Sequence, residues 1–241
     1  MNLLELQTLW RALVIHPLFA LGLTLVAFQF ALWLYRRSGW LLLQPVMVAM
    51  LLVVATLFAS GLDYPTYRQG AAPIALLLGP ATVALAVPLY HNLKRIRLLL
   101  LPILLTVLIG GALTVLLTVL IAYGLGARVP VLMTLSTKSV TMPIAMLVTE
   151  QLDGIVPLAA VFVMLTGVIG TALGPLLLRW ARVVHPAARG LSYGINAHAI
   201  GTARALEEGE ESGAFAALAM SLLGVLTAVL LPLAMSWLFR H

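Results

Sequence analysis

The stretch STKSVTMP, residues 136–143, places a lysine, hydroxyl side chains and a proline inside an apolar run of this 241-residue chain. Pro143 has no amide hydrogen, and in a helix its ring clashes with the carbonyl group of residue 139. Met142, which precedes the proline, is pushed away from helical backbone angles. We therefore predict a broken helix here. The hydroxyl groups are suited to partner the backbone groups that the break frees.

The surrounding composition is that of a membrane protein. Hydrophobic residues make up 62% of the chain and charged residues 9%, and the mean hydropathy is +1.09. Apolar runs long enough to cross a bilayer recur along the chain. We predict an all-α polytopic membrane protein that forms a single membrane domain, 1–241, with N-terminal spans in 1–65 and a core in 70–240. It has about 6–8 membrane segments, in the apolar runs 12–35, 40–60, 71–90, 98–123, 129–150, 155–178, 190–206 and 214–238.

Charge and residue types exclude several classes of function. The 14 basic and 8 acidic residues give a net charge of +6. The basic residues cluster between apolar runs and are not interleaved with aromatic residues, so we expect no nucleic-acid partner. The chain has no cysteine, which excludes disulfides and thiolate chemistry. Neither metal-ligand spacing nor a hydrolase motif is present, so we expect no metal, no cofactor and no enzymatic activity.

The distribution of basic residues predicts the topology. If every run crossed the membrane, the basic loop at 179–189 would lie opposite the basic loops at 36–39 and 91–97. If the run at 129–150 instead enters from outside and returns, all three loops lie in the cytoplasm, as the positive-inside bias favours. We therefore predict that 129–150 is re-entrant. The run at 190–206 fits either a crossing or a re-entrant segment.

The broken segments also suggest an internal repeat. A short segment that ends in a polar bend precedes a long apolar run three times, at 79–92, 139–154 and 198–213, with starts about 60 residues apart. Under the predicted topology, the second and third of these segments enter from opposite faces. This is the pattern of transporters built from inverted repeats, which bind substrate between broken helices near the membrane midplane.

The residues at the first break predict an anion site. Pro143 suits the first turn of a new half-helix with Thr141 or Met142 near its N-cap, which places the positive end of a helix dipole beside the Lys138 ammonium. Together with hydroxyl donors, these groups select a small carboxylate or phosphate. The alternative is that Lys138 lies near the membrane surface and extends its ammonium into water.

A second polar segment, SYGINAHAIGTARALEEGEESG, residues 192–213, supplies the other half of the predicted site. Helical spacing puts Gly194, His198, Gly201 and Ala205 on one face, for either tight helix packing or the approach of a ligand. We interpret the acidic residues at 207–211 as a solvated connector. We predict that Lys138 and Arg204 bind the anion and that the other residues shape the site. The predicted substrate-binding residues are Lys138, Ser139, Thr141, Asn196, His198, Thr202 and Arg204.

These segments resemble the LrgB/CidB family of bacterial membrane proteins, whose plastid relatives are glycolate/glycerate carriers. The matching blocks are LLGPATVALAVPLY (77–90), STKSVTMPIAM (136–146), AVFVMLTGVIGTALGPLLL (160–178) and ARGLSYGINAHAIGTARALEEGEESGAFAALAM (188–220). Met142 departs from the pattern, since a second threonine is common there. The departure leaves one hydroxyl fewer at the break.

The resemblance implies a bacterial cytoplasmic (inner) membrane protein that acts with a small LrgA/CidA-like membrane partner. It also implies two classes of function. One is transport of short carboxylates such as pyruvate or glycolate. The other is holin-like or antiholin-like control of murein hydrolase export and cell lysis. We expect the carrier, because a lysis factor needs no specific anion site at the midplane. The glycines at 167–174 serve either homo-oligomer contacts or internal packing.

Overall fold

A computed structural model describes Trp10, Val14, residues 16–40 and residues 43–239, and in these ranges all regular structure is helical. Residues 12, 13, 15, 41 and 42 of the first two predicted apolar runs lie outside the described residues. The helices are α1 (Pro17–Ser38), α2 (Pro45–Ser60), α3 (Tyr64–Gly70), α4 (Ala72–Leu76), α5 (Leu78–Ala84), α6 (Ala86–His91), α7 (Leu93–Leu98), α8 (Leu100–Gly124), α9 (Val129–Ser136), α10 (Met142–Gln151), α11 (Val156–Trp180), α12 (Pro186–Glu208) and α13 (Glu210–Phe239).

Several of these helical segments are long and apolar enough to cross a bilayer. They are Leu18–Ser38, Ala72–His91, Leu100–Gly124, Val156–Trp180 and Glu210–Met235, and Pro45–Ser60 is a shorter apolar helix. The prediction of an all-α polytopic membrane protein is confirmed. The chain forms two compact units, 1–84 and 85–241.

The N-terminal unit is built on α1 and α2, which pack against each other, and α3 packs against α1. Each of the two long helices begins at a proline in its first turn and ends before a glycine with positive φ, Gly39 (63°) or Gly61 (67°). Proline lacks only an amide hydrogen that the first turn leaves unpaired, and glycine accepts left-handed angles at no steric cost. These residues therefore set the ends of both helices. The Thr24 hydroxyl lies 2.8 Å from the Tyr67 hydroxyl and links α1 to α3.

The C-terminal unit contains α8, α11 and α13 together with two segments that reverse direction. Its closest helix pair is α12 and α13. Gly190 and Gly194 of α12 lie directly against the Ser212 and Ala216 carbonyl oxygens of α13, where a side chain would collide with backbone. Small residues let the two backbones approach. Phe215 of α13 is fully buried in the core beside them.

The first reversing segment, hairpin A (residues 129–155), contains α9 and α10. The hydroxyl oxygens of Thr137 and Thr149 are 2.8 Å apart, and the Ile155 amide donates to Thr134 Oγ1 at 2.8 Å. The chain therefore reverses direction within hairpin A, as the re-entrant prediction for 129–150 requires. The predicted break is observed between α9 and α10, with Thr141 as the N-cap residue of α10 and Pro143 in its first turn.

The second reversing segment, hairpin B (residues 186–208), is α12. His198 has φ 41° and ψ −129°, which no helix accommodates. Arg189 and Glu208 form an ion pair at 2.8 Å, although nineteen residues of continuous helix would separate them by about 28 Å. The arm 199–208 therefore folds back along the arm 186–197. Of the two alternatives left open for 190–206, the chain follows the return.

This reversal overturns the prediction of one continuous face on α12. Gly194 faces α13, next to Ala216 and Ala219, whereas Gly201 faces the carbonyl group of Tyr193 on the opposite arm of hairpin B. The prediction assumed unbroken helical geometry. The backbone at His198 breaks that geometry, so residues on either side of it point in unrelated directions.

The two hairpins are connected to opposite ends of α11. Hairpin A ends where α11 begins, and hairpin B begins shortly after α11 ends at Trp180. The 25 residues of α11 extend about 37 Å, which is enough to cross the hydrocarbon core of a bilayer. At the tip of hairpin B, His198 Nε2 lies 2.9 Å from the carbonyl oxygen of Val163, a residue in the first third of α11. An inverted-repeat, transporter-like architecture stays a prediction.

Candidate functional site

A cavity of about 410 Å³ lies between α11 and the first arm of hairpin B, and Lys138 of hairpin A reaches it. Glycines of α11 bring its walls together. Added Cβ atoms at Gly167, Gly170 and Gly174 would lie 2.8 Å from His198 Cε1, 2.8 Å from Ala197 Cβ and 2.7 Å from Tyr193 Cε1, respectively. Of the two predicted uses of these glycines, internal packing is observed. The residues that line the cavity are Lys138, Thr166, Ile169, Gly170, Leu173, Gly174, Leu177, Leu178, Ser192, Tyr193, Asn196 and Ala197.

Lys138 provides the positive charge in this cavity. The side chain is partly buried, and its Nζ donates to the buried Ser139 hydroxyl at 3.1 Å. An ammonium has three hydrogens to donate, so this bond leaves donors for a ligand. In the part of the chain that the structure describes, Lys138 forms no ion pair and no carboxylate lines the cavity. The charge lacks a partner that a bound anion would supply.

Two other hydroxyl groups of the first break bond to backbone carbonyl groups. Ser136 donates to the Met133 carbonyl at 2.6 Å, and Thr137 donates to the Thr134 carbonyl at 2.9 Å. Both repair backbone groups next to the break, as predicted. Thr141 is the N-cap residue of α10, but its side chain does not accept a bond from the first-turn amides. The first-turn N–H groups, at the positive end of the helix dipole, are therefore not capped by Thr141.

At the tip of hairpin B, His198 and Thr202 are buried and bonded to protein. His198 Nε2 donates to the Val163 carbonyl oxygen, because a carbonyl can only accept. The Thr202 hydroxyl donates to the carbonyl of His198 itself at 2.9 Å. These contacts hold the reversal in place. Asn196 instead lines the cavity, where Nδ2 donates to the Ser192 carbonyl at 2.9 Å and Oδ1 remains to accept.

Arg204 lies at the base of hairpin B, among acidic residues. Its guanidinium is 2.8 Å from Glu207 and 3.7 Å from Glu208. Glu208 also accepts from Arg189 and from the Tyr193 hydroxyl, at 2.8 and 2.7 Å. The structure therefore brings Lys138 and Asn196 to one cavity, with the buried Ser139 bonded to the Lys138 ammonium, and Arg204 to this ion-pair cluster. A direct role for Arg204 in anion binding stays a prediction.

The acidic residues at 207–211 do more than solvate a connector, which corrects our interpretation of them. Besides the contacts of Glu208, Glu210 lies 2.6 Å from His91 and Glu211 accepts from Arg95 at 2.9 Å. These pairs fasten α6 and α7 to the start of α13. The sequence could not show this, because His91 and Arg95 are more than a hundred residues away.

Sequence reasoning missed Thr166, Ser192 and Tyr193, the other polar residues of the cavity wall. Ser192 and Asn196 are four residues apart in the first arm of hairpin B, a spacing that places them on one helix face. That spacing was the available signal. Thr166 adjoins the first of the α11 glycines, and Tyr193 connects the cavity to the ion-pair cluster through Glu208.

Comparison with known proteins identifies relatives over nearly the whole chain. A family model described as the LrgB-like family matches residues 24–237. The chain is 36% identical over 218 residues to the uncharacterized protein YxaC of Bacillus subtilis (strain 168), which covers 90% of this chain and 94% of the relative. It is 32% identical over 223 residues to antiholin-like protein LrgB of Bacillus cereus (strain B4264), covering 92% and 97%. No solved structure matches the chain.

The names of these relatives bear on the two predicted classes of function. The Bacillus cereus relative and one from Bacillus anthracis (strain CDC 684 / NRRL 3495) are both named antiholin-like protein LrgB. The names thus agree with the antiholin-like alternative better than with carboxylate transport. The match, together with the apolar helices, identifies a multi-pass membrane protein.

Proposed function

The chain belongs to the LrgB-like family, and we propose that it is a carrier for small monocarboxylates such as pyruvate or glycolate. We propose further that it is not an enzyme and that it acts in the bacterial cytoplasmic membrane with a small LrgA/CidA-like partner. One observation supports the carrier most strongly. The Lys138 ammonium reaches the cavity between α11 and hairpin B, and among the residues that the structure describes only the Ser139 hydroxyl bonds to it.

The cost of that lysine favours a functional role. An ammonium within a membrane segment is expensive to maintain, and such residues mark pathways for substrates or ions. Here the tip of hairpin B packs against the first half of α11, where His198 bonds to the Val163 carbonyl and its ring lies against Gly167. An anion bound at Lys138 would complete an ion pair in the membrane interior, where the interaction is stronger than in water.

The same charge count argues for a monoanion. Lys138 brings one positive charge to the cavity, and Asn196, Ser192 and Thr166 bring neutral polar groups. A single carboxylate matches this set. A dicarboxylate would leave its second charge in a low-dielectric environment without a partner, which is costly.

The second candidate is the antiholin-like function, and the names of the relatives favour it. Such a protein would assemble with its partner and regulate murein hydrolase export and lysis. This function gives no reason for a lysine of hairpin A to reach the cavity between α11 and hairpin B without an ion-pair partner among the described residues. The two candidates are compatible if a change in carboxylate transport is what controls lysis.

The test is uptake by purified protein in liposomes. We expect saturable uptake of labelled pyruvate or glycolate above that of protein-free liposomes, with the protein alone or together with its small partner. If neither preparation takes up either compound, the carrier proposal is wrong. In that case, altered murein hydrolase export in a strain that lacks the protein would favour the antiholin-like function.

A further inference from the structure

We propose that the cavity prefers monocarboxylates of four to six carbons with an aliphatic tail over three-carbon acids. In this arrangement the carboxylate pairs with Lys138, and the tail lies along Ile169, Leu173 and Leu177 of α11. This inference rests on the proposed carrier function and specifies its substrate class.

The cavity is long, and its two ends differ in polarity. Along α11 it extends from Thr166 to Leu178, a distance of about 18 Å at 1.5 Å per residue. Lys138 belongs to the Thr166 end, because hairpin A joins α11 at its N-terminal end and Val140, two residues from Lys138, packs in the same core as Val163. At the opposite end the polar side chains are Tyr193 and Ser192, and the Ser192 hydroxyl is already bonded to the Ala188 carbonyl, so most of the lining there is apolar. A ligand that fills the cavity therefore has a charged head and an apolar tail.

The tail wall is one face of one helix. Ile169, Leu173 and Leu177 are four residues apart, so their side chains form a row along α11. They are 54%, 44% and 55% exposed, which leaves apolar surface available for a ligand to cover. On the facing arm, the small side chain of Ala197 lies opposite Gly170 and the ring of Tyr193 lies opposite Gly174.

The size of the cavity favours a substrate larger than pyruvate. At about 410 Å³, it falls in the range of pockets that hold drug-sized ligands, whereas a three-carbon acid needs a small part of that volume. Each methylene group that moves from water to apolar surroundings improves binding about fourfold when it is fully buried. Because the wall residues stay partly exposed, we expect about a two- to fourfold gain for each added methylene.

The test measures inhibition of labelled pyruvate uptake in proteoliposomes by unlabelled straight-chain 2-oxo acids of three to six carbons. We expect the half-inhibitory concentration to fall about two- to fourfold with each methylene. Leu173→Asn should flatten this dependence. Leu176→Asn is the matched control, since Leu176 is equally exposed on α11, at 46% against 44%, and does not line the cavity. A half-inhibitory concentration that does not change with length, or that falls equally in Leu173→Asn, would overturn the inference.

Two further arms separate this inference from its alternatives. Hexadecanoate, which partitions into the bilayer, should compete no better than the six-carbon acid. If it alone competes, the tail comes from a membrane lipid and the preference for short soluble acids is wrong. If pyruvate is not taken up at all, the carrier proposal fails, and the length preference is then judged by how the same acids slow maleimide labelling of Ser192→Cys.

Discussion

Replacing Lys138 with methionine is expected to reduce pyruvate or glycolate uptake by about 10- to 100-fold, the effect of losing one hydrogen-bonded charge partner. Methionine keeps much of the apolar stem and removes the ammonium. The Ser139 hydroxyl and the cavity wall remain, so the loss measures the charge itself. Lys138→Arg keeps the charge and should retain part of the activity. The measurement is the initial rate of uptake in proteoliposomes at equal protein content.

Lys94→Met is the control for general loss of positive charge, because Lys94 lies on the short helix α7, far along the chain from the hairpins and outside the cavity lining. We expect uptake close to that of the unmodified protein. Size-exclusion chromatography in detergent checks that all variants are folded. If Lys138→Met takes up substrate at a rate within twofold of the unmodified protein, Lys138 does not bind the anion.

Gly194→Val is expected to prevent the C-terminal unit from packing. A side chain at Gly194 would collide with the Ala216 carbonyl, and its Cβ would lie 2.9 Å from Ala219 Cβ. Backbone atoms cannot rotate away, so α12 and α13 would have to separate. Overpacking of this kind costs about 1–3 kcal/mol and more where backbone must move. We expect a clear fall in Tm in detergent, or aggregation.

Gly22→Val is the matched control, since Gly22 also lies within a helix and has no heavy atom within 4 Å of the added Cβ. Its Tm should stay close to that of the unmodified protein. Equal Tm values for Gly194→Val and Gly22→Val would show that α12 and α13 do not pack as described.

The sequence predicted the first break because proline acts locally. Pro143 cannot donate a hydrogen bond and disfavours helical angles at Met142, and neither effect depends on the rest of the fold. The reversal at His198 has no such local cause. No proline stands there, and a non-glycine residue with positive φ is uncommon. Tertiary contacts hold it, namely the His198 bond to Val163 and the pairing of Arg189 with Glu208.

The site was predicted only in part, because some of its residues carry a local signal in the sequence and others do not. Lys138 and Asn196 were identified because polar residues in apolar runs stand out, and both line the cavity. Arg204 was expected there as well, yet Glu207 and Glu208 follow it at three and four residues, the spacing that pairs charges on a helix. This local spacing favours an ion pair for Arg204 over binding of a substrate anion. Tyr193 was missed because a tyrosine in an apolar segment looks the same whether it packs in a core or lines a cavity.

The most direct test of the account is whether an anion binds between the two hairpins. The chain has no cysteine, so Ser192→Cys introduces a single thiol in the cavity wall. The substitution replaces only the side-chain oxygen with sulfur. We predict that saturating pyruvate or glycolate slows maleimide labelling of this thiol severalfold and that Lys138→Met removes the protection. Ser38→Cys, at the exposed end of α1, should label at the same rate with and without substrate. Labelling of Ser192→Cys that neither compound slows would contradict an anion site between the hairpins.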